Sequence, residues 1–245
     1  MENYIHVNCD LGEGGKFDAE LMPLISACNI ACGGHAGNLE TMQHSVRLAM
    51  KHGTEIGAHP SYPDKENFGR KSLSMTAEDL KLSVEAQVMS LLQIVEAEGG
   101  KLTHIKLHGA LYNDAAKDEN IAKIVLESFR LLEHDFRLYV PANSVIQELA
   151  MGEFDCYVEA FADRNYEPDY SLVARSKPDA IIADRELVFE HVHEIYAHQK
   201  VRAVNGEILE LEADTFCLHS DTPSSVEILK YLHKKFAENH LKIQH

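Results

Sequence analysis

Short, almost continuously apolar runs alternate with longer amphipathic stretches along the whole chain. The runs fall at residues 4–9, 28–32, 55–59, 103–108, 137–140, 156–160, 180–183 and 215–219. Several are rich in β-branched residues or cysteine, as expected of parallel strands covered on both faces. Between them lie helix signals. Asn38 is placed to cap a helix that puts Leu39, Met42, Val46 and Ala49 on one side and stops at Gly53. Thr76-Ala77-Glu78-Asp79 resembles a capping box opening a long helix that ends at Gly99-Gly100. Further helices are predicted over 119–132, 142–151, 187–198 and 224–238, and a hairpin over 201–211 turning at Asn205-Gly206.

Alternating strand and helix units imply a parallel sheet with right-handed crossovers. Seven or eight such units in 245 residues predict an α/β fold of the TIM-like (β/α) barrel type, with residues 1–245 forming a single barrel domain. There is no low-complexity segment, linker or internal repeat. The composition, 45% hydrophobic and 25% charged, supports a sizeable core. With 23 Lys+Arg against 39 Asp+Glu the formal charge is −16, which disfavours nucleic acid and anionic membrane surfaces as partners. No apolar run reaches the roughly 20 residues of a membrane span. The first residues lack a signal-peptide pattern, so a cytoplasmic location is expected. The five cysteines, Cys9, Cys28, Cys32, Cys156 and Cys217, are odd in number and irregularly spaced; they read as buried free thiols rather than a disulfide or zinc framework.

The polar residues cluster where apolar runs end. These ends carry Asp10 and Glu13, His35, His59, Lys106 with His108, Tyr112 and Asn113, Glu159 with Asp163 and Arg164, and His219 with Asp221. In α/β barrels such ends open on one face, where active sites are built. Asp10 and Glu13 suit a general base and a metal ligand, against the alternative of a salt bridge or loop cap. Asp10, His59 and His108 have the make-up of a divalent metal site, against the alternative of histidines satisfied by backbone carbonyls. Lys106 and His108, two apart, point the same way, and Lys106 needs a partner such as Glu159 or a substrate carboxylate. The catalytic candidates are thus Asp10, Glu13, His59, His108 and Lys106. The candidate substrate contacts are His35, in a Gly-rich loop suited to an anion, with Arg70, Tyr112, Asn113, Glu159, Asp163, Arg164, His219 and Asp221. His44, His52, His134, His191, His193, His198, His233 and His240 read as solvated helix-face residues. No Walker-type phosphate loop, dinucleotide fingerprint or serine-hydrolase elbow is present.

These segments together resemble a known family. Asn8-Cys9-Asp10-Leu11-Gly12-Glu13, Asn29-Ile30-Ala31-Cys32-Gly33-Gly34-His35-Ala36-Gly37, Gly57-Ala58-His59-Pro60 and Lys106-Leu107-His108-Gly109-Ala110-Leu111-Tyr112-Asn113 are similar to signatures of the LamB/YcsF family. Phe68-Gly69-Arg70, Glu159-Ala160-Phe161-Ala162-Asp163-Arg164 and the segment from Asp214 to Pro223 carry the same resemblance, which spans about residue 5 to about residue 240. This family is that of the A chain of bacterial 5-oxoprolinase. The resemblance implies a barrel of seven strands, related to the glycoside hydrolase/deacetylase superfamily. It further implies ATP-dependent opening of 5-oxoproline to glutamate in a complex with subunits B and C, ATP being a co-substrate of the complex. Phosphorylation of the amide oxygen would activate an unstrained lactam, and water would then attack the ring carbon with help from a base such as Asp10 or, failing it, Glu13. Gly34, Leu107 and Ser220 stand where the family usually has Phe, Pro and Gly; Gly34 and Ser220 are expected to flank the cleft. A stand-alone metal-dependent hydrolase or deacetylase, and a non-catalytic lactam-binding subunit, remain the alternatives.

Overall fold

In the computed structural model, which describes residues 3–132 and 134–244, seven of the eight apolar runs supply the strands of a closed barrel. The strands are β1 (Asn3–Ile5), β2 (Val7–Leu11), β3 (Ala27–Ala31), β4 (Glu55–His59), β5 (Leu102–Lys106), β6 (Arg137–Pro141), β7 (Asp155–Phe161), β8 (Lys200–Arg202), β9 (Ile208–Glu210), β10 (Thr215–Cys217) and β11 (Leu241–Ile243). The helices are α1 (Asp18–Leu21), α2 (Leu39–His52), α3 (Ala77–Ala97), α4 (Gly109–Lys117), α5 (Glu119–Arg130), α6 (Val145–Ala150), α7 (Arg185–His198) and α8 (Ser225–Glu238). A closed barrel runs in the order β10-β2-β3-β4-β5-β6-β7. Its neighbouring strands are all parallel, and β10 closes it by pairing with both β2 and β7.

Local chemistry sets the helix ends as the sequence suggested. Asn38 and Thr41 form a reciprocal capping box at the start of α2, and Gly53 ends that helix in the left-handed conformation at φ 71°. Thr76 caps α3 through the Asp79 amide, but the Asp79 carboxylate turns to the Thr76 hydroxyl rather than its amide, so only half of the box forms. The expected hairpin is the antiparallel pair β8–β9.

Two expectations fail here. Residues 180–183 are not a strand. Ile181 makes an isolated antiparallel bridge to Arg164, within a long strap between β7 and α7. Ala180 is buried beneath that strap, so its apolar character reflects loop packing rather than a ladder. The first run, in turn, breaks at His6 into two strands, and β1 leaves the barrel to pair with β11.

The strands alternate by side. Val7, Cys9 and Leu11 of β2, and Cys28 and Ile30 of β3, join the hydrophobic layer, which also holds Val84, Val88 and Leu91 of α3 and Leu229 and Phe236 of α8. The intervening residues Asn8, Asp10, Asn29, His104, Lys106, Glu159 and Thr215 are buried and bonded to one another across the barrel. The centre of the barrel is therefore a polar network, and the main apolar core lies between strands and helices. None of the described helices is long and apolar enough to cross a membrane.

Candidate active site

The inward polar positions build the floor of a cleft at the carboxyl ends of the strands. Lys106, at the end of β5, is 3% exposed. Its ammonium donates to Asp10 Oδ1 at 2.9 Å and Cys217 Sγ at 3.1 Å, and lies 2.9 Å from Glu159 Oε1. Burial opposes the charge on Lys106, yet Asp10 beside it keeps its pKa well above the usual lysine value. Asp10 Oδ1 also accepts from Asn29 Nδ2 at 2.8 Å. Burial would raise the Asp10 carboxyl, but His59 and Lys106 hold it well below the usual range. Glu159 takes a further hydrogen bond from the Tyr112 hydroxyl at 2.9 Å.

Above this floor the histidines converge. His59 Nδ1 donates to the Lys106 carbonyl at 2.8 Å, and His108 Nε2 donates to the Phe68 carbonyl at 2.9 Å. A carbonyl can only accept, so each ring is pinned with its other nitrogen free. Those nitrogens, His59 Nε2 and His108 Nδ1, face each other at 3.0 Å. Two lone pairs at that distance need a proton or a cation between them. His59 Nε2 also lies 3.4 Å from Asp10 Oδ2. Burial, with His59 nearby, pushes His108 down to about 2, and the same two causes push His35 down to about 3.

Glu13, in the loop after β2, approaches His35 Nε2 at 2.9 Å and His108 Nδ1 at 3.5 Å. Burial, and then the neighbouring Asp10 charge, raise its pKa above the usual glutamate value. His35 stacks on His108 with ring centres 3.6 Å apart, and its Nδ1 is buried without a partner among the described residues. The ligand atoms of Glu13, His35, His59 and His108 lie within 4.8 Å of one another, as do those of Asp10, Cys217 and His219. The metal set expected from the sequence, Asp10, His59 and His108, is thus divided between two groups of donors. Asp10 is the member already committed to an ammonium.

A cleft of about 440 Å³ is lined by Asp10, Glu13, His59, Arg70, Lys106, His108, Tyr112, Asn113, Arg164, His219 and Asp221, all candidates named above, together with Ser220 and Arg175. His35 lies behind Glu13, and Glu159 lies below at 1% exposure. Three candidate features are spent internally. Asp163, fully buried, accepts from the His219 amide and ring and from the Thr222 hydroxyl, so it positions His219. Arg164 donates Nε to the Ala180 carbonyl at 3.0 Å and Nη2 to the Val173 carbonyl at 2.6 Å, so it ties the strap down. The Gly-rich loop closes on itself, with the Gly33 amide on the Ala36 carbonyl, rather than offering that donor to an anion.

Some expectations about other residues are corrected. His191 and His233 are half-buried, and their rings reach the Phe161 and Leu24 carbonyls. Cys156 is half-exposed, while the other four cysteines are buried and all five are free. Sequence reasoning missed Asn8, Asn29 and His104, although each stands at an alternate position of an otherwise apolar strand. It also missed the Phe68 carbonyl, which a left-handed φ of 55° aims at His108 and which no side-chain pattern announces. Gly109, at φ 57°, starts α4 beside the same segment. A Cβ there would meet the Gly69 carbonyl at 2.5 Å.

The sequence matches the LamB/YcsF family over residues 5–245. The chain belongs to the LamB/YcsF family. It is 42% identical to the A chain of the 5-oxoprolinase of Pyrococcus furiosus, over 98% of this chain and 96% of that one. Its fold superposes on the crystal structure of the lactam utilization protein from Thermus thermophilus with a TM-score of 0.90 at 31% identity, covering 98% and 99% of the two chains. A family 4 carbohydrate esterase from Streptomyces lividans shares the barrel alone, at a TM-score of 0.51 and 9% identity over 98% of this chain and 91% of that one. Within this LamB/YcsF chain, Ser220 does line the cleft, but Gly34 does not. A Cβ on Gly34 would lie 2.2 Å from Gln87 Oε1 and 2.4 Å from Ser61 Oγ. The space beside it is filled by those buried side chains, behind the cleft wall.

Proposed function

We propose that this protein is the A chain of an ATP-dependent 5-oxoprolinase and carries out the hydrolytic opening of 5-oxo-L-proline to L-glutamate, with ATP as co-substrate and subunits B and C as partners in the cytoplasm. The observation that carries the reading is the cleft itself: a carboxylate of raised pKa, Glu13, stands beside a histidine pair of fixed tautomer, in a chain of the LamB/YcsF family. The absence of a phosphate-loop motif favours phosphoryl transfer on a partner chain.

In this reading water adds to the ring carbonyl carbon, the ring C–N bond breaks and the nitrogen leaves with a proton; a second water releases the phosphoryl group as phosphate. Glu13 is better suited than Asp10 to accept the proton from the attacking water. A base works best with a pKa near the working pH, and Asp10 is held low by His59 and Lys106 while Glu13 is raised. Asp10 instead orients Lys106 and faces His59. His59 and His108, whose facing nitrogens are 3.0 Å apart, would hand the proton to the departing nitrogen. Lys106 and the Tyr112 hydroxyl keep Glu159 paired below the cleft.

A second reading has its own support in the four convergent donors Glu13, His35, His59 and His108. Carbonyls pin two of these rings as they do in metal sites. A divalent cation held there would polarise the substrate carbonyl and acidify bound water. The test is glutamate release from 5-oxoproline by the chain alone and with candidate partner subunits, with and without ATP. Turnover only with partners and ATP supports the first reading. Turnover by the chain alone without ATP supports a stand-alone hydrolase, and binding without any contribution to turnover supports a delivery role.

A further inference from the structure

The cleft contains more cations than its floor uses, and their bonding separates the committed from the available. Lys106 has three donors, and Asp10, Glu159 and Cys217 occupy them. Arg164 is 6% exposed and is turned to the backbone carbonyls of the strap. Lys117 stands at the rim, its side chain 60% exposed and 3.6 Å from Asp169. Arg70 and Arg175 remain. Both point at one carboxylate: Arg70 Nη2 lies 2.9 Å from Asp221 Oδ2, and Arg175 contacts Asp221 Oδ2 at 3.0 Å and Oδ1 at 3.4 Å. The three groups together carry one net positive charge, in a chain that is otherwise strongly acidic.

The position of this trio suits substrate recognition. The Arg70 guanidinium sits 4.9 Å above the Phe68 ring, and that ring packs edge-on against His108 with centres 5.4 Å apart. The pair thus stands on the wall next to the convergent histidines rather than at a remote site. The side chains of Arg70, Arg175 and Asp221 are 46%, 29% and 44% exposed, so a ligand entering the cleft reaches them. Arg175 comes from the strap that Arg164 ties down through the Val173 carbonyl, which fixes its approach. A guanidinium matches a carboxylate through parallel N–H donors, and Asp221 shows that match in place.

We propose that Arg70 and Arg175 form a clamp for the carboxylate of a small lactam acid, that Asp221 is the resident counter-ion which the substrate carboxylate displaces, and that this exchange selects carboxylated over neutral lactams. The assignment rests on the lactam reading given above.

The test is an NMR titration of the full chain with two probes, 5-oxoproline and 2-pyrrolidinone, the same ring without the carboxylate. We expect the wild-type chain to prefer 5-oxoproline. Arg175→Gln should reduce that preference roughly tenfold to a hundredfold, the size of a lost charge-assisted hydrogen bond. Arg175→Lys should recover only part of it, because a lysine lacks the paired donors. Asp221→Asn should tighten 5-oxoproline and leave the neutral ring behind. Equal losses for both probes in Arg175→Gln, or weaker 5-oxoproline binding in Asp221→Asn, would overturn the clamp while leaving the lactam reading intact. No binding of either probe by the wild-type chain would overturn the lactam reading, and the clamp with it.

Discussion

Replacing Lys106 by Met isolates the electrostatics of the barrel floor. Methionine keeps most of the volume and the apolar stem of lysine, so little packing is lost. What disappears is the ammonium 2.9 Å from both Asp10 and Glu159, at a position where all three groups are buried. Removing one partner from a buried ion pair typically costs about 3–5 kcal/mol, because the remaining charge is left uncompensated. For a chain of this size that corresponds to roughly 6–20 °C in melting temperature. The sign of the pH dependence is fixed by Asp10. In the wild type its carboxyl is held below its unfolded value, so its contribution to stability is present above about pH 4 and is lost as pH falls through the folded value. Without Lys106, His59 is the chief group left opposing burial, so the Asp10 carboxyl moves up from its wild-type value, and the deficit of the variant should be largest at neutral pH and should shrink on acidification. Urea denaturation of both proteins between pH 5 and pH 8 reads this directly. A variant within about 1 kcal/mol of wild type at pH 7, with a difference independent of pH, would refute the claim that Lys106 neutralises the floor.

Other expectations follow from the same geometry. His35 and His108 are held down to about 3 and about 2, so the unfolded chain takes up protons near pH 6.5 that the folded chain refuses; stability should fall as pH drops below about 6.5, and the urea midpoint at pH 5 against pH 7 measures it. Gly109→Ala places a Cβ 2.5 Å from the Gly69 carbonyl at a left-handed φ, and should destabilise by about 1–3 kcal/mol, read by thermal melting, while disturbing the His108 position, read by ring chemical shifts. If a divalent cation sits among Glu13, His35, His59 and His108, exhaustive chelation should lower activity and restored metal should return it; full activity of a metal-free preparation would assign these groups to proton transfer and hydrogen bonding.

The strands were legible because both faces of each are covered, which leaves apolar runs, and their polar ends mark one rim of the barrel. The run at 180–183 misled for the same reason: a strap packed on the barrel also buries Ala180. Lys106 and Glu159 could be paired from the sequence because a buried ammonium demands an acid. The different bonding of Asp10 and Glu13 could not. It depends on which side chains approach each carboxylate, and Asn29 and Lys106 reach Asp10 from other strands. Arg164 and Arg175 are alike as sequence signals, both lying after β7. Only the path of the strap turns one toward backbone carbonyls and the other toward Asp221.

The central claim is that the ring-opening chemistry resides in this chain, with Glu13 as its base. The most direct measurement is the rate of glutamate release from 5-oxoproline by Glu13→Gln, assembled with the partner subunits and ATP and compared with wild type. Glutamine preserves the shape and a hydrogen bond to His35 but accepts no proton from water. We expect a folded variant whose turnover is lower by about a hundredfold or more. A folded, assembled variant with undiminished turnover would contradict the claim and move the base to Asp10 or the chemistry to another chain.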